Sequence, residues 1–126
     1  MSKTVLIVDD SMFMRATIKN SLQPAGYEVV GEAANGEDAI ELALSLKPDI
    51  ITLDNILPDM IGIDILRILM EEGLVETKII MVSAVGQDSV IKEGLKIGAR
   101  DYVVKPFTPA TLLEKVNAMM EEEIPS

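Results

Sequence analysis

Ile50-Ile51-Thr52-Leu53-Asp54-Asn55-Ile56-Leu57-Pro58-Asp59-Met60-Ile61-Gly62 opens as a strand and closes as a loop. Ile50, Ile51 and Leu53 are large aliphatics, and the run is nearly continuous in its apolarity rather than alternating. That pattern suits a strand buried on both faces of a parallel sheet. The strand delivers Asp54 to its end, and Pro58 and Gly62 mark a loop before the next helix. Ligands of open α/β sheets sit at the carboxyl ends of strands, so a carboxylate here is placed for chemistry.

Outward from this stretch the same unit repeats. Strand-like runs fall at Thr4–Val8, Glu28–Glu32, Ile50–Leu53, Lys78–Val82 and Tyr102–Val104, and five helix-like segments alternate with them. Met14, Ile18 and Leu22 recur every four residues, and Pro24-Ala25-Gly26 stops that first helix. Asn35 caps the second, with Glu37 and Asp38 in its first turn, where acids suit the helix dipole. Ile65, Leu66 and Leu69 line the third, which ends near Gly73; the fourth runs from about Asp88 to Ile97. Thr108 as N-cap and Pro109 at the first helical position begin the fifth. The Glu121-Glu122-Glu123 run and Ile124-Pro125-Ser126 look like a solvated end. Alternating strands and helices imply a doubly wound α/β sandwich with right-handed crossovers. No linker interrupts residues 1–126, so a single domain without an effector domain is expected.

Composition narrows the chemistry. The chain has no Cys, which excludes disulfides, thiol nucleophiles and Cys-ligated zinc. It also has no His, so any phosphohistidine must come from a partner. A net charge of −10 argues against nucleic acid, which needs a basic footprint. Aromatics are only 3% of 126 residues, so the core must be aliphatic, with 8 Met as filler. No apolar run approaches the roughly 18 residues of a membrane span, and the N-terminal segment lacks the apolar core of a signal peptide. A soluble cytoplasmic protein is the expectation.

Asp9 and Asp10 end the first apolar run as Asp54 ends the third. If strands one and three are neighbours, three carboxylates converge. At about 4 Å and an effective dielectric of 20, each like-charge pair costs on the order of 4 kcal/mol. Such a cluster needs a cation, and hard oxygen ligands without His or Cys select Mg²⁺ or a similar ion. Taken singly, each residue has a plainer explanation. Asp9, Asp10 or Ser11 caps the first helix, Asp54 begins a turn, Ser83 caps a helix, and Lys105 is a surface lysine. Together, a hydroxyl and an ammonium on the same rim as three carboxylates make a site that could accept a phosphoryl group.

Val8-Asp9-Asp10, Asp54 with Pro58 and Gly62, Ser83-Ala84, and Tyr102-Val103-Val104-Lys105-Pro106-Phe107 together resemble the receiver domain of two-component response regulators. The resemblance covers essentially the whole chain and is closest to the stand-alone chemotaxis members, especially from Tyr102 to Thr111. It implies a flavodoxin-like five-stranded parallel sheet in the order 2-1-3-4-5, with five helices. By the same resemblance Asp54 is the phospho-acceptor. Asp9, Asp10, Asp54 and the Ile56 backbone carbonyl hold Mg²⁺. Ser83 and Lys105 bond phosphoryl oxygens, the Lys105–Pro106 bond is cis, and Tyr102 is the aromatic switch residue.

The resemblance further implies a signalling domain rather than an enzyme, phosphorylated by a histidine kinase and acting as a monomer. Its output is a protein contact such as the flagellar switch, with a phosphatase as a further partner and with neither nucleic acid nor membrane involved. Phosphorelays and other outputs also use stand-alone receivers. The expected output face includes Ile91, Lys92, Tyr102, Val104, Phe107 and Lys115. Ile56 and Val85 are aliphatic where the family tunes the lifetime of the phosphoryl group, so slow self-dephosphorylation is expected. Asn55 is polar where many relatives are aliphatic or aromatic, and nothing in the sequence accounts for it. Two other classes fit less well. An aspartyl phosphatase of the dehalogenase type needs Asp-x-Asp after strand one, and Asp9-Asp10-Ser11 breaks that spacing. A flavodoxin-like binder needs a Ser/Thr/Gly-rich loop there, and Ser11-Met12-Phe13-Met14-Arg15 is not one. The complete set of Asp9, Asp10, Asp54, Ser83 and Lys105 argues against a degenerate receiver that only binds partners.

Overall fold

In the computed structural model, which describes residues 2–121, five strands and five α-helices alternate. They are β1 (Thr4–Val8), α1 (Met12–Leu22), β2 (Glu28–Ala33), α2 (Gly36–Leu46), β3 (Ile50–Asp54), α3 (Gly62–Glu71), β4 (Lys78–Ser83), α4 (Asp88–Ile97), β5 (Asp101–Val104) and α5 (Pro109–Glu121). The sheet is parallel throughout, in the order β2-β1-β3-β4-β5, as the resemblance implied. Residues 122–126, most of the expected solvated end, lie outside the described residues.

The strands reach one residue further than their apolar runs. Asp54 pairs with Val82, and Ser83 with Val104, so both candidate site residues are the last rungs of strands. A ladder position holds a side chain more firmly than a loop does, because the backbone bonds on either side define its direction.

Side-chain parity divides the core in two. Leu6, Val8, Ile51, Leu53, Ile79 and Met81 pack with Ala39 and Ala43 of α2 and with Ile65, Leu66 and Leu69 of α3. Val5, Ile7, Ile50, Ile80, Val82 and Val103 pack with Ile18 and Leu22 of α1 and with Leu112, Val116 and Met119 of α5. Successive residues of a strand point to opposite faces, so β3 is buried at all five positions. Burying a side chain of this size is worth roughly 1.5–3 kcal/mol, and this double layer holds the sheet with fully buried residues that are all aliphatic, the aromatics Tyr27, Tyr102 and Phe107 packing only at its margins.

Local chemistry sets the helix ends as expected. Ser11, and neither Asp9 nor Asp10, caps α1 by accepting the Met14 N–H at 3.1 Å. Asn35 caps α2 through the Asp38 N–H at 2.8 Å, and Thr108 accepts from Thr111 at 3.1 Å. Gly94 lets α4 lie close on β4, since a Cβ there would run into the Met81 sulfur. No helix among the described residues is long and apolar enough to cross a membrane.

Candidate functional site

The carboxyl ends of β1, β3 and β5 converge because β1 and β3 are direct neighbours, with β4 and then β5 beyond. Parity places Asp9, Asp54 and Lys105 on the α1/α5 side of the sheet. They continue the series Val5–Ile7, Ile50–Thr52 and Val103. One carboxylate oxygen from each of Asp9, Asp10 and Asp54 lies within 4.8 Å of the others. Asp9 and Asp54 are buried, and Asp10 is exposed.

Lys105 Nζ stands 3.2 Å from Asp9 Oδ2 and 3.4 Å from Asp54 Oδ1, so one ammonium serves two buried carboxylates. Asp9 uses its other oxygen, Oδ1, to accept the Ser11 N–H at 2.9 Å. The Asp9 carbonyl accepts from Arg15 Nη1 at 2.7 Å, which anchors the β1–α1 turn. Lys105 is itself fixed by its backbone N–H, which donates to the Ser83 carbonyl at 2.7 Å. The Lys105–Pro106 bond is cis, as expected.

The electrostatics are those of a site short of positive charge. Burial, and then the Asp9 charge, push the Asp54 carboxyl above the ordinary carboxylate range; Lys105 pulls it back without cancelling the rise. Burial works against the Lys105 ammonium, yet Asp54 and Asp9 outweigh it and hold the lysine above its usual value. Three carboxylates against one ammonium leave a formal charge of two negatives. That deficit and the all-oxygen donor set fit a hard divalent cation such as Mg²⁺.

The β3–α3 loop is held from two directions. The Gly62 N–H donates to the Asn55 carbonyl at 2.5 Å, and a Cβ at Gly62 would stand 2.6 Å from the Asp54 carbonyl oxygen. Asp59 reaches back to the N-terminus of α2, accepting the Gly36 N–H at 2.7 Å and the Glu37 N–H at 3.1 Å. Those amides, that of Gly36 first, hold the Asp59 carboxyl below the ordinary range. Arg15 and Asp59 were not expected to serve the site. The Glu32 partner of Arg15 and the α2 amides bonded to Asp59 are distant in sequence, so no local pattern signals them.

The opposite parity carries the remaining candidates. Ser83 continues Ile79 and Met81 on the α2/α3/α4 side, and Tyr102 packs on the same cluster. Ser83 Oγ is buried and has no hydrogen-bond partner among the described residues; the same holds for Asn55 Oδ1 and Thr52 Oγ1. The β4–α4 loop is tied by Gln87, whose Oε1 accepts the Ala84 N–H at 2.9 Å. Ile56 and Val85, two residues beyond Asp54 and Ser83, are 60% and 77% exposed.

On the expected output face, Lys115 Nζ lies 4.6 Å above the Tyr102 ring and 3.6 Å from Asp101 Oδ1. Tyr102, Val104, Phe107 and Lys115 are half-buried and Lys92 is exposed. Ile91 departs from expectation: it is only 6% exposed and cannot be a surface contact. It sits one turn before Gly94 and shares its helix face, which lies against β4.

The sequence matches the response regulator receiver domain over residues 5–117. The chemotaxis protein CheY of Thermotoga maritima is 48% identical over 117 residues, which cover 93% of this chain and 97% of that protein. The response regulator domain of Thermotoga maritima CheB superposes with a TM-score of 0.87 at 34% identity, covering all of both chains. CheY in the CheX-CheY-BeF3-Mg+2 complex from Borrelia burgdorferi gives 0.89 at 34% identity, covering 94% of this chain and 89% of that one. With strand order, acidic cluster and sequence in agreement, the chain belongs to the response regulator receiver domain family.

Proposed function

We propose that this protein is a phosphorylation-activated receiver that takes a phosphoryl group onto Asp54 from a partner's phosphohistidine. The observation that carries the reading is the Lys105 ammonium shared between buried Asp9 and Asp54, with Asp10 beside them. A magnesium ion held by Asp9, Asp10, Asp54 and the Ile56 carbonyl would neutralise charge on the phosphoryl oxygens. An Asp54 oxygen attacks phosphorus in line with the leaving imidazole. The oxygen–phosphorus bond forms as the nitrogen–phosphorus bond breaks, and that electron pair returns to the imidazole nitrogen. Such transfer needs positioning and electrostatics more than covalent help from the protein. Lys105 stays on a phosphoryl oxygen and orients it.

Ser83 then turns its unpartnered hydroxyl to another phosphoryl oxygen. Tyr102 follows it inward, and the face formed by α4, β5 and α5 changes. This is a shift between two populations, driven by the better contacts of the phosphoryl group in one of them. The names of the relatives support a chemotaxis output, and the flagellar switch is the target that the sequence resemblance implies. A phosphorelay would use the same chemistry with a different partner.

The test is phosphorylation by a small phosphodonor with Mg²⁺, comparing wild type with Asp54→Asn. Acid-stable but alkali-labile incorporation is expected in the wild type alone; label retained in the variant would move the acceptor elsewhere. Capture of the flagellar switch protein by the activated form, and not by Asp54→Asn, would support the chemotaxis output.

A further inference from the structure

Asn55 and Ser83 present two buried oxygens with no partner among the described residues at the carboxyl edge of β3 and β4. Each residue is at most 5% exposed, and Asn55 Oδ1 and Ser83 Oγ are without a hydrogen bond among the described residues. Their placement is not independent. The β3–β4 register ends at Asp54 opposite Val82, and Asn55 and Ser83 are the residues that follow this last rung. Ser83 continues the parity of Met81, which packs with α2 and α3, and Asn55 is buried one residue past the end of β3. Neighbouring strands lie about 4.8 Å apart. At that spacing a hydroxyl and an amide on facing positions come within bonding reach by rotation about Cα–Cβ.

A buried polar atom left unpaired is costly, and native interiors almost always pair it. One hydrogen bond between these side chains would satisfy both at once. A hydroxyl is both donor and acceptor, so either end of the Asn55 amide can serve. We propose that Asn55 is the resting partner of the Ser83 hydroxyl, a positioning residue that biases Ser83 away from Asp54 and so sets the threshold of the switch. This rests on the phospho-acceptor reading above. When Ser83 turns to a phosphoryl oxygen it must leave Asn55, and the energy of that bond opposes activation. An apolar side chain at 55 removes the competitor and lets Ser83 engage more readily.

The experiment titrates beryllium trifluoride with Mg²⁺, a stable stand-in for the phosphoryl group, into wild type, Asn55→Leu, Ser83→Ala and the double variant. Asn55→Leu is expected to bind about fivefold more tightly than wild type, the ratio that one ordinary net hydrogen bond supplies. In the Ser83→Ala background the same substitution should change nothing. A purely structural role for Asn55 would alter the melting temperature and leave affinity alone. Equal affinities of wild type and Asn55→Leu, or the same tightening in both backgrounds, overturn the proposal. If Asn55→Leu does not fold, Asn55→Met carries the same comparison. A wild type that does not bind the mimic overturns the phospho-acceptor reading itself, and this proposal with it.

Discussion

The two sides of the sheet's carboxyl edge are built differently. On the α1/α5 side, Asp9 engages both carboxylate oxygens, Lys105 bridges Asp9 to Asp54, and Arg15 anchors the turn between them. On the other side, Ser83 Oγ is buried with no partner among the described residues, and so is Asn55 Oδ1 just past the end of β3. The first arrangement holds groups where chemistry needs them. The second leaves a polar group with something to gain by moving. A receiver has to do both, and the carboxyl edge of β3 brings the two together within adjacent residues, Asp54 and Asn55.

The most severe way to break this contrast is to remove the shared cation. Lys105→Met strips the ammonium from two buried carboxylates, and breaking a buried pair by removing one partner costs about 3 kcal/mol or more. Urea unfolding of the metal-free variant should show that loss, and added Mg²⁺ should recover part of it. An unchanged midpoint would mean that the held side is not held by Lys105. Magnesium itself gives the next largest effect. A ligand at a hundred times its dissociation constant stabilises by about 2.7 kcal/mol, so Mg²⁺ should raise the wild-type melting temperature by several degrees. Asp10→Ala should abolish the rise if Asp10 is the proposed ligand, and its exposed side chain makes the variant a mild one for the fold. No magnesium effect in the wild type would count heavily against the site.

The held side was the legible one. A parallel strand delivers its last residue to a rim that topology fixes, so Asp9, Asp10, Asp54 and Lys105 could be placed together from their positions after apolar runs. The movable side was legible only in part. Ser83 stands at a strand end and was found. Asn55 lies one residue past β3, and its burial depends on how far the ladder with β4 extends, which no local pattern states. Ile91 was misread because helical spacing does not say which way α4 is turned. The close seat of Gly94 over Met81 decides that. Arg15 and Asp59 escaped notice because their partners, Glu32 and the Gly36 and Glu37 amides, are distant in sequence.

Ile56 and Val85 are exposed two residues beyond Asp54 and Ser83, and neither is charged or capable of hydrogen bonding through its side chain. An apolar rim gives attacking water no partner to orient it. Replacing Ile56 with Asn and Val85 with Glu should speed loss of the phosphoryl group by about tenfold, a barrier change of about 1.4 kcal/mol. Decay of the labelled protein measures it, and equal or slower decay in the double variant would sink the idea.

The smallest effect tests how far the held side extends. Arg15 links the Asp9 carbonyl to Glu32, with Arg15 Nε 3.1 Å from Glu32 Oε1 and Lys19 Nζ 2.5 Å from Oε2. The bond from Lys19, with help from Arg15, holds the Glu32 carboxyl below its ordinary range against the opposing effect of burial. A carboxylate whose pKa is lower folded than unfolded contributes stability above its unfolded pKa and loses it as pH falls through the folded value. Wild type should therefore lose slightly more stability on acidification below the ordinary glutamate range than Glu32→Gln does. The gap at neutral pH should be about 0.5 kcal/mol, the scale of a partly exposed ion pair. Urea midpoints across that range measure the difference, and parallel curves would show that Glu32 is not coupled to its cations. If the pair also steadies the Asp9 turn through Arg15, the same variant should bind Mg²⁺ slightly more weakly. A pH effect without a magnesium effect would then end the held region at Arg15.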